Sequence, residues 1–287
     1  MEPKDPERYR RGQLSEPKNP IIYYIDPATP KKWIPYLKAG VEDWNTAFEA
    51  AGFKNAIIAK EWPNDPNMSL DDARYSVIRY LPSETENAYG PRIVDPRSGE
   101  IMESHICWYH NVMNLLKKWY MVQCGPLDKR ARTMTFDDKL MGSLIQFVSS
   151  HEVGHSIGLR HNMAASSATP VENLRDKAWD EANGHTLSIM DYARFNYVAQ
   201  PEDRISEKGL FPRIGVYDKW AIQWGYRYRP EFKDPYKEKD VLRAEVTKKL
   251  RGDHRLWFVG DEGKGFDPRS QSEDLGDNNM KANEYGI

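Results

Sequence analysis

Cysteine is nearly absent from this sequence: Cys107 and Cys124 are the only two in 287 residues. That excludes the disulfide-dense scaffold of a small secreted domain. A chain this long buries enough apolar surface to need no covalent staples. The two cysteines read as buried thiols, with a single disulfide as the alternative. Long apolar runs are missing as well. Mean hydropathy is −0.78, and no stretch approaches the roughly 20 apolar residues that a membrane-spanning helix needs. An excess of one charge is also missing. With 41 basic and 43 acidic residues the net charge is −2, so there is no electrostatic footprint for nucleic acid. The opening Met1-Glu2-Pro3-Lys4-Asp5 has no apolar signal core. With the abrupt ending Asn283-Glu284-Tyr285-Gly286-Ile287, this makes an excised part of a longer protein the expectation.

What is present is concentrated in one string. His151-Glu152-Val153-Gly154-His155-Ser156-Ile157-Gly158-Leu159-Arg160-His161 spells HExxHxxGxxH. On a helix, His151 and His155 project from one face and reach a common metal ion. Glu152 points toward the same cleft, where it serves as a general base toward a water. Gly158 lets the chain leave the helix through a left-handed conformation, and His161 returns as a third ligand. Three protein ligands leave one tetrahedral position open, the mark of a catalytic zinc site. The bland alternative is three unrelated surface histidines. A structural zinc site would want a fourth protein ligand, and no cysteine or histidine stands at suitable local spacing.

Further along lies Ser188-Ile189-Met190-Asp191-Tyr192. The extended histidine string followed by a methionine turn resembles the metzincin metallopeptidases. The resemblance implies that Met190 lies beneath the imidazoles as a hydrophobic floor. It implies Zn²⁺ as cofactor, held by His151, His155 and His161. The spacing Met-x-Tyr is similar to the astacin and serralysin branches, whose tyrosine binds the metal and swings to stabilise the oxyanion. Tyr192 thus has a site role or is a buried core tyrosine. Asn162 departs from the branches of that group, since matrix metalloproteases and adamalysins carry Asp after the third histidine, astacins Glu and serralysins Pro. The wider text is similar to large bacterial zinc-dependent proteins with a Met-zincin domain. The segments PIIYYIDPATPKKWIPYLKAGVEDWNTAFEAAGF, HEVGHSIGLRHNMAASS and SIMDYARFNYVAQPED carry that likeness over roughly residues 15 to 225. It implies an exported protein, longer than this chain, with further domains.

The resemblance implies an α+β fold: a metzincin-like twisted mixed sheet, an active-site helix and a Met-turn below the metal. Residues 1–19 read as an extended lead-in, 20–228 as the catalytic domain and 229–287 as a charged, peripheral C-terminal extension that docks onto something absent from the sequence. Pro20 to Asp26, Phe53 to Trp62 and Tyr75 to Leu81 read as strands. Thr29 with Pro30 is expected to cap a helix that Gly52 ends. Asn64 to Asp72 reads as a surface loop, with a calcium loop as alternative. Gly90 to Val94 and Glu100 to Trp108 read as a hairpin, one strand of which forms the upper rim of the cleft by the metzincin likeness. A peptide adds to such a rim through backbone hydrogen bonds. His105 and His110 read as structural or surface groups, with a second metal site as the alternative. His110 to Cys124 is expected to be a helix, and Thr135 with Asp138 to box the start of the active-site helix. Short helices are expected near Val171 to Ala182, Gly215 to Tyr226 and residues 236–251.

The function expected from these residues is that of a zinc-dependent endopeptidase. It hydrolyses peptide bonds with a metal-activated water, Glu152 as general base, and Tyr192 beside zinc at the oxyanion. The partner is a peptide or protein substrate. The alternatives are a zinc hydrolase of another amide and a zinc-bearing binding module without turnover.

Overall fold

The computed structural model describes residues 1–232, 234–261 and 265–287. The β-branched and aromatic run Ile21–Ile25 (β1) alternates between half-buried and buried positions, the pattern of a strand with one face on a core. It pairs in parallel with Ile57–Glu61 (β2) and Ser76–Leu81 (β3). β3 pairs in parallel with His105–Tyr109, which we label β7 because three short strands intervene: Ala88–Tyr89 (β4), Ile93–Val94 (β5) and Ile101–Glu103 (β6). β4 lies antiparallel on β7 as the sheet's edge, giving the order β2-β1-β3-β7-β4. β5 and β6 form a separate antiparallel hairpin. The expected strand from Glu100 to Trp108 is therefore divided at Ser104, a buried residue whose hydroxyl donates to the Pro91 carbonyl. The fold is the mixed α+β arrangement that the sequence predicts.

Helices cover one face of this sheet. The expected helix from Thr29 to Gly52 is two helices, Ile34–Glu42 (α2) and Asn45–Ala50 (α3). Thr29 caps neither: its hydroxyl oxygen is buried without a partner, and α2 starts after a turn in which Trp33 N–H donates to Pro30. Trp44 separates the two helices, and its indole N–H donates to the Ser150 carbonyl at 2.8 Å. Val112–Cys124 (α4) follows the sheet, and Asp138–Ser156 (α5) carries the histidine string. Asp137, not Thr135, caps α5, accepting from Leu140 N–H at 2.8 Å. α2 crosses α5 closely because Gly40 faces Ser149, whose hydroxyl donates to the Leu37 carbonyl.

The lead-in is not purely extended. It contains a short helix Pro6–Arg10 (α1), and Ser15 forms a bridge with Phe53. After α5 come Lys177–Asn183 (α6), Glu207–Leu210 (α7) and Val216–Tyr226 (α8). The charged text expected as a helix forms Pro235–Gly252 (α9), and Asn279–Gly286 (α10) ends the chain. The C-terminal segment docks on the body itself. Leu275 and Ala282 share a small buried cluster with Val171, Leu174, Ala193 and Val198, so apolar burial holds the segment in place. Cys107 and Cys124 are free thiols. Residues 64–72 form a loop, and Asp71 pairs with Arg79.

Candidate active site

The last two turns of α5 carry His151, Glu152 and His155. The helix buries most of its length, including His151 at 6% and Glu152 at 7% exposure. It ends where the sequence predicts. Gly158 has φ +111°, a region that a side chain disfavours, and the chain turns back toward His161. Several contacts fix this exit. Tyr226 donates to the Ile157 carbonyl at 2.7 Å, Tyr23 donates to Ser156 Oγ at 2.6 Å, and Arg92 donates to the His155 carbonyl at 2.9 Å. An arginine on the last carbonyls also complements the negative end of the helix dipole.

The structure brings the three histidines together. Their ligand atoms all lie within 4.8 Å of one another, and among the described residues no other such group of His, Cys, Asp or Glu occurs. His105 and His110 stand apart, beside Glu103 and Tyr80 respectively. Each ring of the triad is held by its Nδ1. His151 donates to the Ile189 carbonyl at 2.8 Å and His155 to the Leu159 carbonyl at 3.2 Å. His161 Nδ1 meets the Asp261 carboxylate at 3.0 Å. Those acceptors can only receive a proton, so each Nδ1 is protonated, and in the neutral ring each Nε2 carries a lone pair.

This decides whether the residues fit a metal. Nε2 of His155 and Nε2 of His161 are 3.0 Å apart, and in the neutral rings both present lone pairs to one point. Two lone pairs converging across that gap suit a shared cation. Ligands about 2.05 Å from a tetrahedral zinc would be separated by about 3.3 Å. Burial supports the neutral, ligand-competent state. It pushes His151 well below its ordinary value, with the neighbouring His155 adding to the effect. Burial likewise brings His155 down to about 4, with the neighbouring His161 adding to the effect. The donor set fits zinc.

Glu152 lies beside the triad. Desolvation pushes its carboxyl up to about 8, opposed by a hydrogen bond from Gly90 N–H and by the charge of Arg194. A bound dication would act in the same direction as Arg194. Oε2 of Glu152 is buried and has no hydrogen-bond partner. Gly90 follows edge strand β4, and a Cβ built there would lie 2.3 Å from the Glu152 carbonyl oxygen. The sheet edge therefore passes directly over the ligand-bearing helix.

The Met-turn packs under that helix. Met190 is fully buried, and a Cβ built on Gly154 would come within 2.3 Å of its sulfur. The glycine inside HEVGH thus leaves the room that the methionine fills. Asp218, on α8, clamps the turn by accepting from Ser188 Oγ at 2.6 Å and from Ile189 N–H at 2.8 Å. Ile189 in turn holds His151. The Tyr192 ring lies 4.3 Å from His161 and 5.7 Å from His151, centroid to centroid, so the tyrosine stands at the site. Burial raises its hydroxyl above the ordinary value.

Two participants escape sequence reading. The Arg194 guanidinium stacks between Trp119 and Tyr192 at 3.8 and 4.1 Å, from a left-handed backbone with φ +58°. Asp261 comes from the C-terminal segment. No local spacing ties either residue to the histidine string. Asn162 is fully buried, its amide donates to the Trp257 carbonyl at 2.9 Å, and its oxygen accepts from Val259 N–H at 3.1 Å.

No curated protein and no solved structure matches the chain. A family model described as Met-zincin matches residues 133–287. That is more than half of the sequence, from the approach to α5 through the Met-turn to the docked C-terminal segment. With the histidine cluster and methionine floor already in view, the match settles the family: this chain belongs to the Met-zincins.

Proposed function

We propose that the protein is a zinc-dependent endopeptidase. In this reading His151, His155 and His161 hold the ion through Nε2, each oriented by the acceptor on its Nδ1. When bound, zinc supplies Lewis acidity, bringing the ionisation of a water to near neutral pH and polarising a carbonyl oxygen. Glu152 takes the proton of the attacking water on Oε2 and returns a proton to the leaving amine. The hydrogen bond from Gly90 keeps the carboxylate aimed while it does so. Tyr192 stabilises the developing oxyanion through its hydroxyl. The substrate lies extended along β4, adding to the sheet edge by backbone hydrogen bonds, which demands little of its sequence.

The observation that carries this reading is Oε2 of Glu152: a buried oxygen without a partner, beside a metal-competent triad. An unpaired buried polar atom is costly, and in a site without turnover nothing offsets that cost. Residues 20–228 serve as the catalytic body in this proposal, with 229–287 as an extension built onto it. Export to the periplasm, cell surface or medium belongs to the same proposal. Among the described residues, no helix is long and apolar enough to cross a membrane.

The test is digestion of a peptide library by the zinc-loaded protein and two variants. Glu152→Gln is expected to keep one zinc per chain and lose turnover by a factor of about 100 or more. Tyr192→Phe is expected to lower kcat more than it raises KM. Cleavage by Glu152→Gln at the wild-type rate would overturn the assignment. Cleavage only of acylated sugars or cell-wall amides would move the substrate class.

A further inference from the structure

The C-terminal segment does more than cover the body. We infer that Asp261 is a positioning residue of the metal centre, supplied by the extension to fix the tautomer and direction of the third histidine. The inference rests on the reading of His151, His155 and His161 as ligands.

Backbone carbonyls within the catalytic body, those of Ile189 and Leu159, hold the first two rings. At Nδ1 of His161 the ring meets the Asp261 carboxylate, at 3.0 and 3.2 Å from its two oxygens. An imidazole with a carboxylate on one nitrogen keeps that nitrogen protonated and presents the other, made more basic, to the metal. Without the carboxylate a neutral imidazole populates both tautomers, and one of them points a proton at the site.

The segment is placed to do this. Met163 N–H donates to the Val259 carbonyl at 2.9 Å, two residues after the third histidine and two before Asp261. Asn162 brackets the same stretch through Trp257 and Val259, and its own N–H donates to the Met190 carbonyl at 3.0 Å. One buried amide thereby ties together the ligand loop, the Met-turn and the extension. Farther on, Glu273 N–H donates to the Tyr192 carbonyl at 2.7 Å, and its carboxylate pairs with Arg194 at 3.2 Å. The extension grips the site on both flanks. Asp261 itself is half exposed, at 51%, so its loss threatens the fold little.

The experiment is a competition for Zn²⁺ between the full chain and a chromogenic chelator, which needs no peptidase activity. Asp261→Ala is expected to weaken zinc binding by about 10–100-fold, the usual effect of removing such a support. Asp261→Asn keeps an acceptor for Nδ1–H without the charge and is expected to recover most of that loss. In the metal-free protein, ¹⁵N correlation of the His161 ring is expected to show the Nδ1–H tautomer in wild type and a mixture in Asp261→Ala. Wild-type zinc affinity in Asp261→Ala, while His161→Ala abolishes it, would overturn this inference alone. Equal losses in the Ala and Asn variants would mean that charge acts rather than position, and would overturn it too. No effect of His161→Ala would sink the metal-ligand reading beneath both proposals. Zinc binding without peptide cleavage would remove the proposed function and leave this inference standing.

Discussion

Gly154→Ala puts a single methyl group where the Met-turn meets the active-site helix. Its Cβ would lie 2.3 Å from Met190 Sδ and 2.7 Å from Trp44 Cζ2. Neither neighbour has room to retreat. Both side chains are fully buried, and Trp44 is held by its bond to Ser150. Overpacking of this kind costs about 1–3 kcal/mol. Alanine in a helix interior gains about 0.8–1 kcal/mol over glycine. The expected net loss is up to about 2 kcal/mol, or a fall in Tm of up to about 4–8 °C for a chain of this size. Calorimetry of the metal-free protein reads it directly. A companion variant separates packing from propensity. In a Met190→Ala background the sulfur is gone, so adding Gly154→Ala should cost less by about 0.5–3 kcal/mol, the range of coupling between touching side chains. If Gly154→Ala raises Tm by the full propensity gain, the methionine does not fill that space and the packing argument fails.

Other consequences follow from the buried carboxylates. Burial pushes Asp180 up to about 7 from its ordinary 3.8. A folded value above the unfolded one means that its contribution to stability is complete below about pH 4 and is lost as pH rises through about 7. The loss is at most roughly 4 kcal/mol, and Asp180→Asn should flatten the stability profile between about pH 4 and 7 measured by urea denaturation. An unchanged profile would contradict this. Asp218→Ala removes the acceptor for Ser188, Ile189 and Gly215 and should cost at least about 3 kcal/mol. Because Ile189 holds His151, zinc affinity in chelator competition should fall with it. Unchanged affinity would uncouple the clamp from the site.

Much of the site was legible because its chemistry is written at helical spacing. His151 and His155 share a face, Gly158 supplies the exit, and His161 follows the turn. The Met-turn was legible only by likeness, since nothing in Ser188 to Tyr192 states that Met190 must meet Gly154. Local rivals misled the reading of boundaries. Thr135 and Asp137 are both competent caps, and the one aimed at Leu140 N–H prevailed. Thr29 and Pro30 form a plausible helix start, yet the chain makes a turn there first. What escaped altogether is long-range. Asp261 meets His161 across a hundred residues of chain, and Arg194 reaches the site through a left-handed backbone that its sequence does not announce. Text rich in charge and turn residues reads as solvated surface, and the few apolar side chains that dock it, such as Leu275, carry no periodic signal.

X-ray absorption at the zinc edge of the metal-loaded protein bears most directly on the central claim, that three imidazoles hold one cation with a position left for solvent. The expected result is three nitrogen donors at about 2.0–2.1 Å and one light oxygen donor, with no sulfur, at one zinc per chain, and loss of the signal in His155→Ala. A sulfur shell, a fourth imidazole, or zinc retained in His155→Ala would contradict the account.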